Sequence, residues 1–182
     1  MKKIIFVLMM FSVVLLNSGA KFVIDAVKNA QLHNNLGINC FNENDYYCAI
    51  KEFEIAIKIN SKTQTTAVYY ANLGKTYDKI GYPKMAMDCY QKALNINPVN
   101  LDYYIKLSKT FKKQGILDAR LKFYKSRKDN PLNDIMIGLI YIEKGDIPTG
   151  LTVLDNFCYK EPDILITKGI RNYISNKLYL EK

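Results

Sequence analysis

Lysine and arginine carry most of the chemistry this sequence can offer. Between Lys106 and Lys128 stand nine basic residues, Lys106, Lys109, Lys112, Lys113, Arg120, Lys122, Lys125, Arg127 and Lys128, against Asp118 alone. A run of this kind either keeps a solvated face soluble or attracts an anionic partner, such as an acidic peptide tail or anionic lipid headgroups. Nucleic acid is not expected, because no basic stretch is interleaved with aromatics in a base-reading pattern.

Covalent and metal chemistry find less support. The cysteines Cys40, Cys48, Cys89 and Cys158 follow no metal-ligand spacing, and His33 is the single histidine, so no metal site is expected. Cys40 and Cys48 flank one helical turn and can meet across it, but a buried free cysteine packs equally well as a small hydrophobe. Glu52 and Glu54 point different ways on a helix. No glycine-rich phosphate loop occurs, and His33 reads as a structural histidine rather than a general base. With no nucleophile–base pair and no paired carboxylates, the sequence predicts neither an enzyme nor a cofactor.

The elements that must position the lysines are set out in one stretch, Ala67 to Pro98. Tyr70, Leu73 and Tyr77 recur at i, i+3 and i+7 beside Gly74, which marks one helical face. Gly81 offers a left-handed cap and Pro83 suits the start of a second helix. Ala86, Tyr90 and Ala93 then form the facing stripe until Asn97 and Pro98 stop it. Gly74 and Ala86 let two antiparallel helices approach while Tyr77 and Tyr90 fill the space beside them. Two short helices are marginal alone, and each leaves an apolar edge for another pair, so the unit implies stacking. Leu73, Gly74, Tyr77, Ala86, Tyr90, Ala93 and Pro98, with Tyr70 for the leading Trp, resemble the tetratricopeptide repeat signature. The resemblance implies an all-α fold, a right-handed superhelical solenoid of antiparallel helix pairs.

Copies of this unit fill the chain. The repeats are predicted at about 30–63, 67–100, 101–131 and 132–162, with a capping helix over 163–182. In the first, Leu36-Gly37, Ala49, Phe53 and Ala56 answer the master copy. Cys40 replaces an aromatic, and Asn44-Asp45 replaces the turn glycine. The step from Gly37 to Gly74 is 37 residues, and Ser61–Thr66 absorbs the excess, with Thr65 or Thr66 available to cap the next helix. In the third copy Tyr104, Leu107, Ser108 and Phe111 are followed by Gly115, Ala119, Phe123 and Ser126, so its turn reads one residue short. The fourth has Ile137, Gly138, Tyr141, Gly150 and Leu154, with a first helix shortened by Pro131 and a helix cost of roughly 1 kcal/mol at Gly150. Ile166, Ile170, Tyr173, Ile174 and Leu178 make the stripe of the capping helix. Tyr70 and Tyr104 fall in core slots, Tyr69 and Tyr103 nearer the surface.

The start of the chain reads as an export signal: Met1-Lys2-Lys3, an apolar run from Ile4 to Leu16, then Asn17-Ser18-Gly19-Ala20. A retained anchor fits less well, because the thirteen residues of this run, interrupted only by Ser12, span about 20 Å where a hydrocarbon core needs about 30 Å. Cleavage after Ala20 would lower the net charge from +9 to +7 and place residues 21–182, a single domain, in the periplasm or cell envelope.

In tetratricopeptide arrays the first helix of each repeat lines a concave groove for an extended peptide or a partner helix. Carried over, this implies a non-catalytic interaction scaffold whose partner-binding residues are Asn72, Lys75, Lys79, Lys106, Lys109 and Lys113, with Ala71, Asp78, Ile105 and Lys112 nearby. Ile135, Met136, Leu139 and Ile142 would stand at an apolar end, or in the core if the capping helix folds on them. A chaperone-tail clamp is not expected, because Asn34 and Ile38 stand where that clamp needs Lys and Asn. The alternative is a peripheral membrane protein that uses segment 106–128 on anionic lipid.

Overall fold

The computed structural model describes residues 26–61, 63–127 and 129–180. The proposed signal segment lies outside them. The first helix, α1, covers 26–42, and is followed by α2 (Tyr46–Ile59), α3 (Thr65–Lys79), α4 (Pro83–Ile96), α5 (Leu101–Lys113), α6 (Leu117–Lys125), α7 (Asn133–Glu143), α8 (Ile147–Lys160) and α9 (Ile166–Leu180). The described residues are helical without a strand. Short turns make each pair antiparallel, and α2 packs on α3, α4 on α5, and α6 on α7, so the pairs stack into a solenoid. No helix among the described residues is long and apolar enough to cross a membrane.

Four turns of one design set the pairs. Asn44, Gly81, Gly115 and Gly145 all take a positive φ, of 63°, 84°, 67° and 92°. The next residue in each case donates its N–H back to the helix, Asp45 to Cys40, Tyr82 to Tyr77, Ile116 to Phe111 and Asp146 to Tyr141. These bonds satisfy carbonyls that a helix end would leave open. Asn44 holds this conformation without being glycine, as its side chain allows.

The third turn is therefore not one residue short. Five positions after Gly115 comes Arg120, and nine after it Tyr124, as Ala86 and Tyr90 follow Gly81. Arg120 takes the small residue's place, its guanidinium 5.1 Å from the centre of the Phe111 ring. Tyr124 takes the ring's place, 6.5 Å from Phe111. Ala119 is exposed, Phe123 is 36% exposed, and α6 has no buried residue. Residue type favoured Ala119 and Phe123, but the turn's hydrogen bonds fix the register.

Elsewhere close approach explains the glycines. A Cβ on Gly74 would lie 2.9 Å from Tyr90 Cε1, and one on Gly37 2.6 Å from Phe53 Cε1. Around them Ala49, Ala56, Ala86 and Ala93 are fully buried. Tyr69 and Tyr103, expected near the surface, are each 4% exposed. Tyr69 packs with Ala30, Ala56 and Ile57 of the preceding pair, because a first helix is covered by its partner and also by the previous repeat. The expected threonine cap is absent: Gln64 precedes α3 with no side-chain bond to it. Thr63 and Thr65 instead accept from Asn60 Nδ2 at 2.8 and 3.1 Å, and the Thr66 hydroxyl donates to the Asn60 carbonyl.

Candidate functional site

The inner side of α1, α3 and α5 encloses an open cavity of about 600 Å³. Its walls are Phe41, Asn42, Asn44 and Tyr46 from the first pair, Lys75, Asp78, Lys79 and Tyr90 from the second, and Lys106 and Lys113 from the third. Four lysines thus face one aspartate across a floor of aromatic rings. Lysines on successive first helices meet here because the stack keeps those helices side by side.

Each cation is held differently. Lys75 Nζ lies 4.3 Å from the centre of the Phe41 ring. Lys106 pairs with Asp102 one turn back along α5. Lys113 Nζ lies 3.1 Å from Asp78 Oδ1. Lys79 is exposed and makes no ion pair among the described residues. Asp78 also accepts from Thr110 Oγ1 at 3.2 Å and from the Tyr90 hydroxyl at 3.4 Å, so one carboxylate ties α3, α4 and α5 together. Burial, then the Asp78 charge, pushes the Tyr90 hydroxyl well above its ordinary value and keeps it a neutral donor.

Of the sequence-predicted residues, Lys75, Lys79, Lys106 and Lys113 come together in this cavity. Asn72 sits beside it in a smaller pocket with Ile38, Phe41, Phe53 and Lys75, and donates from Nδ2 to Asn34 Oδ1 at 2.9 Å. Its amide already serves the joint between α1 and α3. Lys109 is exposed and does not line the cavity. Sequence reasoning missed Phe41, Asn42, Asn44 and Tyr46, because they lie at the end of α1, in the turn and at the start of α2 rather than on a first-helix face. The signal was there in Asn44, the non-glycine residue at a turn position that fixes where its neighbours point.

The apolar end of the groove is closed. Ile135, Met136 and Leu139 are 0–1% exposed and Ile142 8%. They belong to the main core, against which Tyr173 and Ile174 of α9 also pack. α9 reaches back to the start of α5, where Leu101 lies 3.9 Å from the place of a Cβ on Gly169. The basic segment is likewise no single surface. Lys112 lies 3.5 Å from Glu143 of α7, Arg120 turns inward, and Lys122 and Lys125 on α6, with Arg127 just after it, remain exposed. His33 Nδ1 lies 2.6 Å from Glu52 Oε2 and joins α1 to α2.

Comparison with known proteins agrees with this architecture. Residues 67–100 match the tetratricopeptide repeat profile. No curated protein sequence matches the chain. Among solved structures, MamA is 24% identical over 78% of this chain and 84% of its own, with a TM-score of 0.50. PilF of Pseudomonas aeruginosa is 15% identical over 80% of this chain and 67% of its own, with a TM-score of 0.51. YrrB, described as a tetratricopeptide-repeat protein with an unusual peptide-binding site, is 18% identical over 87% of each chain at a TM-score of 0.47. The first two share the fold. Residues 67–100 match the tetratricopeptide repeat, and the stack of helix pairs built around them has the fold of tetratricopeptide-repeat solenoids.

Proposed function

We propose that the chain is a non-catalytic scaffold of the cell envelope that holds an acidic peptide segment of a partner protein in the cavity between α1, α3 and α5. The observation that carries this is the convergence of Lys75, Lys79, Lys106 and Lys113 from two repeats on one cavity. Repeated first helices place like charges side by side, at a cost in self-repulsion that an anionic occupant relieves. The aromatic walls add apolar surface on which an extended backbone can lie, while Lys79, which makes no ion pair among the described residues, is the cation readiest to pair with a carboxylate. The export signal read at the start of the sequence supports the envelope location.

Charge reversal tests this reading. K75E/K79E is expected to weaken capture of an acidic partner peptide at least tenfold, about 1.4 kcal/mol, with the helical circular dichroism unchanged. K109E, on the same face of the sequence pattern but outside the cavity, serves as the control and is expected to leave capture within twofold. Equal effects of the two variants would mean that net charge, rather than the cavity, attracts the partner.

A further inference from the structure

We infer that the Cys40–Cys48 disulfide is the positioning element of this cavity and that its reduction opens the binding site. The inference rests on the groove reading given above. Cys40, at the end of α1, is bonded to Cys48, in the first turn of α2, with their Cα atoms 5.8 Å apart. The loop so closed, residues 40–48, contains Phe41, Asn42, Asn44 and Tyr46, which form one whole wall of the cavity.

The bond replaces a packing contact. Cys40 occupies the slot that Tyr77 fills in the second repeat and Phe111 in the third, where those rings are 8% and 1% exposed and help hold the two helices of the pair together. The first repeat lacks that ring. Beyond the backbone bonds of the turn, Asp45 N–H to the Cys40 carbonyl among them, and the His33–Glu52 contact between the two helices, the side-chain contacts that hold it are the Asp45 carboxylate accepting from Cys48 N at 3.0 Å, the Tyr46 hydroxyl donating to Asn44 Oδ1 at 2.7 Å, and the edge contact of Phe41 with Tyr46 at 5.6 Å. All three lie in exposed or half-exposed surroundings, where hydrogen bonds compete with water. Without the bond, Phe41 loses its fixed place under Lys75, and the aromatic wall is no longer held against the lysines.

The chemistry is selective. A dithiol attacks as thiolate at one sulfur of the bond and forms a mixed disulfide, and the released cysteine thiolate takes up a proton. The dithiol's second thiol then displaces the other cysteine, which is protonated in turn. Two electrons and two protons pass to the protein, and the dithiol leaves as a cyclic disulfide. Cys40 and Cys48 are half-buried and open to such attack. Cys89 and Cys158 are buried free thiols, held neutral by burial, and take no part.

The test uses the full chain and fluorescein-labelled hexaglutamate as probe, with and without dithiothreitol, followed by amide hydrogen exchange. Reduction is expected to weaken probe binding at least tenfold and to speed exchange in residues 38–50 while α7 and α8 stay protected. C40S/C48S should bind as weakly as the reduced protein whatever the redox state, and C89S/C158S should respond like the wild type. Equal affinity with and without dithiothreitol, exchange that rises throughout the chain, or four free thiols in protein purified without reductant would each overturn the inference. Failure of the groove reading shows separately: K75E/K79E would then bind the oxidised wild type's probe undiminished, whereas lysine-dependent but redox-independent binding would remove only this inference.

Discussion

A single thiol shows how burial acts at the scale of one residue. Cys89, packed at 6% exposure beside Gly74, has its pKa pushed from 9.0 up to about 12 by burial, with the nearby Lys92 charge only partly opposing it. Tyr104, also buried, is pushed from 10.0 to about 12. Both groups are acids whose folded pKa is raised, so their stabilising contribution is whole below the unfolded value. It is lost as pH climbs, because the unfolded chain ionises first. Stability to urea is therefore expected to fall between about pH 9 and 12, each group contributing at most about 1.4 kcal/mol per pH unit. C89A is expected to have a shallower loss between pH 9 and 10 than the wild type. An identical slope would show that Cys89 does not carry this term.

Helix contacts are decided by the pair of positions at which backbones meet. Gly150 is the sharpest case, because a Cβ there would lie 2.5 Å from Ile142 Cγ1 and 2.6 Å from the Gly138 carbonyl oxygen. The sequence suggested only a helix cost at Gly150. The contact shows what that cost secures, since α7 and α8 touch backbone to backbone through Gly138 and Gly150. G150A is thus expected to destabilise the protein by about 1–3 kcal/mol in thermal or urea unfolding, although alanine is the better helix former. A gain in stability would show that the pair can separate without loss. Such contacts also mark the limit of legibility. Gly37, Gly74, Ala86 and Ala49 were readable from type and spacing because small residues recur there. The third pair was misread because Ala119 and Phe123 have the right chemistry one position out of register, and only the hydrogen bond from Ile116 to Phe111 decides for Arg120 and Tyr124.

At the scale of the whole molecule, the stack turns a repeated sequence position into a surface. Lys75, Lys79, Lys106 and Lys113 line one cavity because a residue on a first helix reappears beside its counterpart in the next pair, a placement the repeat pattern makes legible. The cavity's other wall was not legible, because it comes from a turn rather than from a helix face. The closed apolar end was left open by the sequence, since whether α9 lies back against the core depends on contacts between residues far apart in the chain. The exposed Lys122 and Lys125 of α6, with Arg127 just after it, provide a competing basic surface away from the cavity. Both surfaces attract acidic ligands in a salt-dependent way, so affinity alone does not separate them.

Amide chemical-shift mapping of the oxidised full chain during titration with hexaglutamate makes that separation. The expected result is a set of saturating shifts confined to the end of α1, its following turn, α3 and α5, with the largest at Phe41, Lys75, Lys79 and Lys113. Shifts centred on Lys122, Lys125 and Arg127, with those four residues unmoved, would contradict the account.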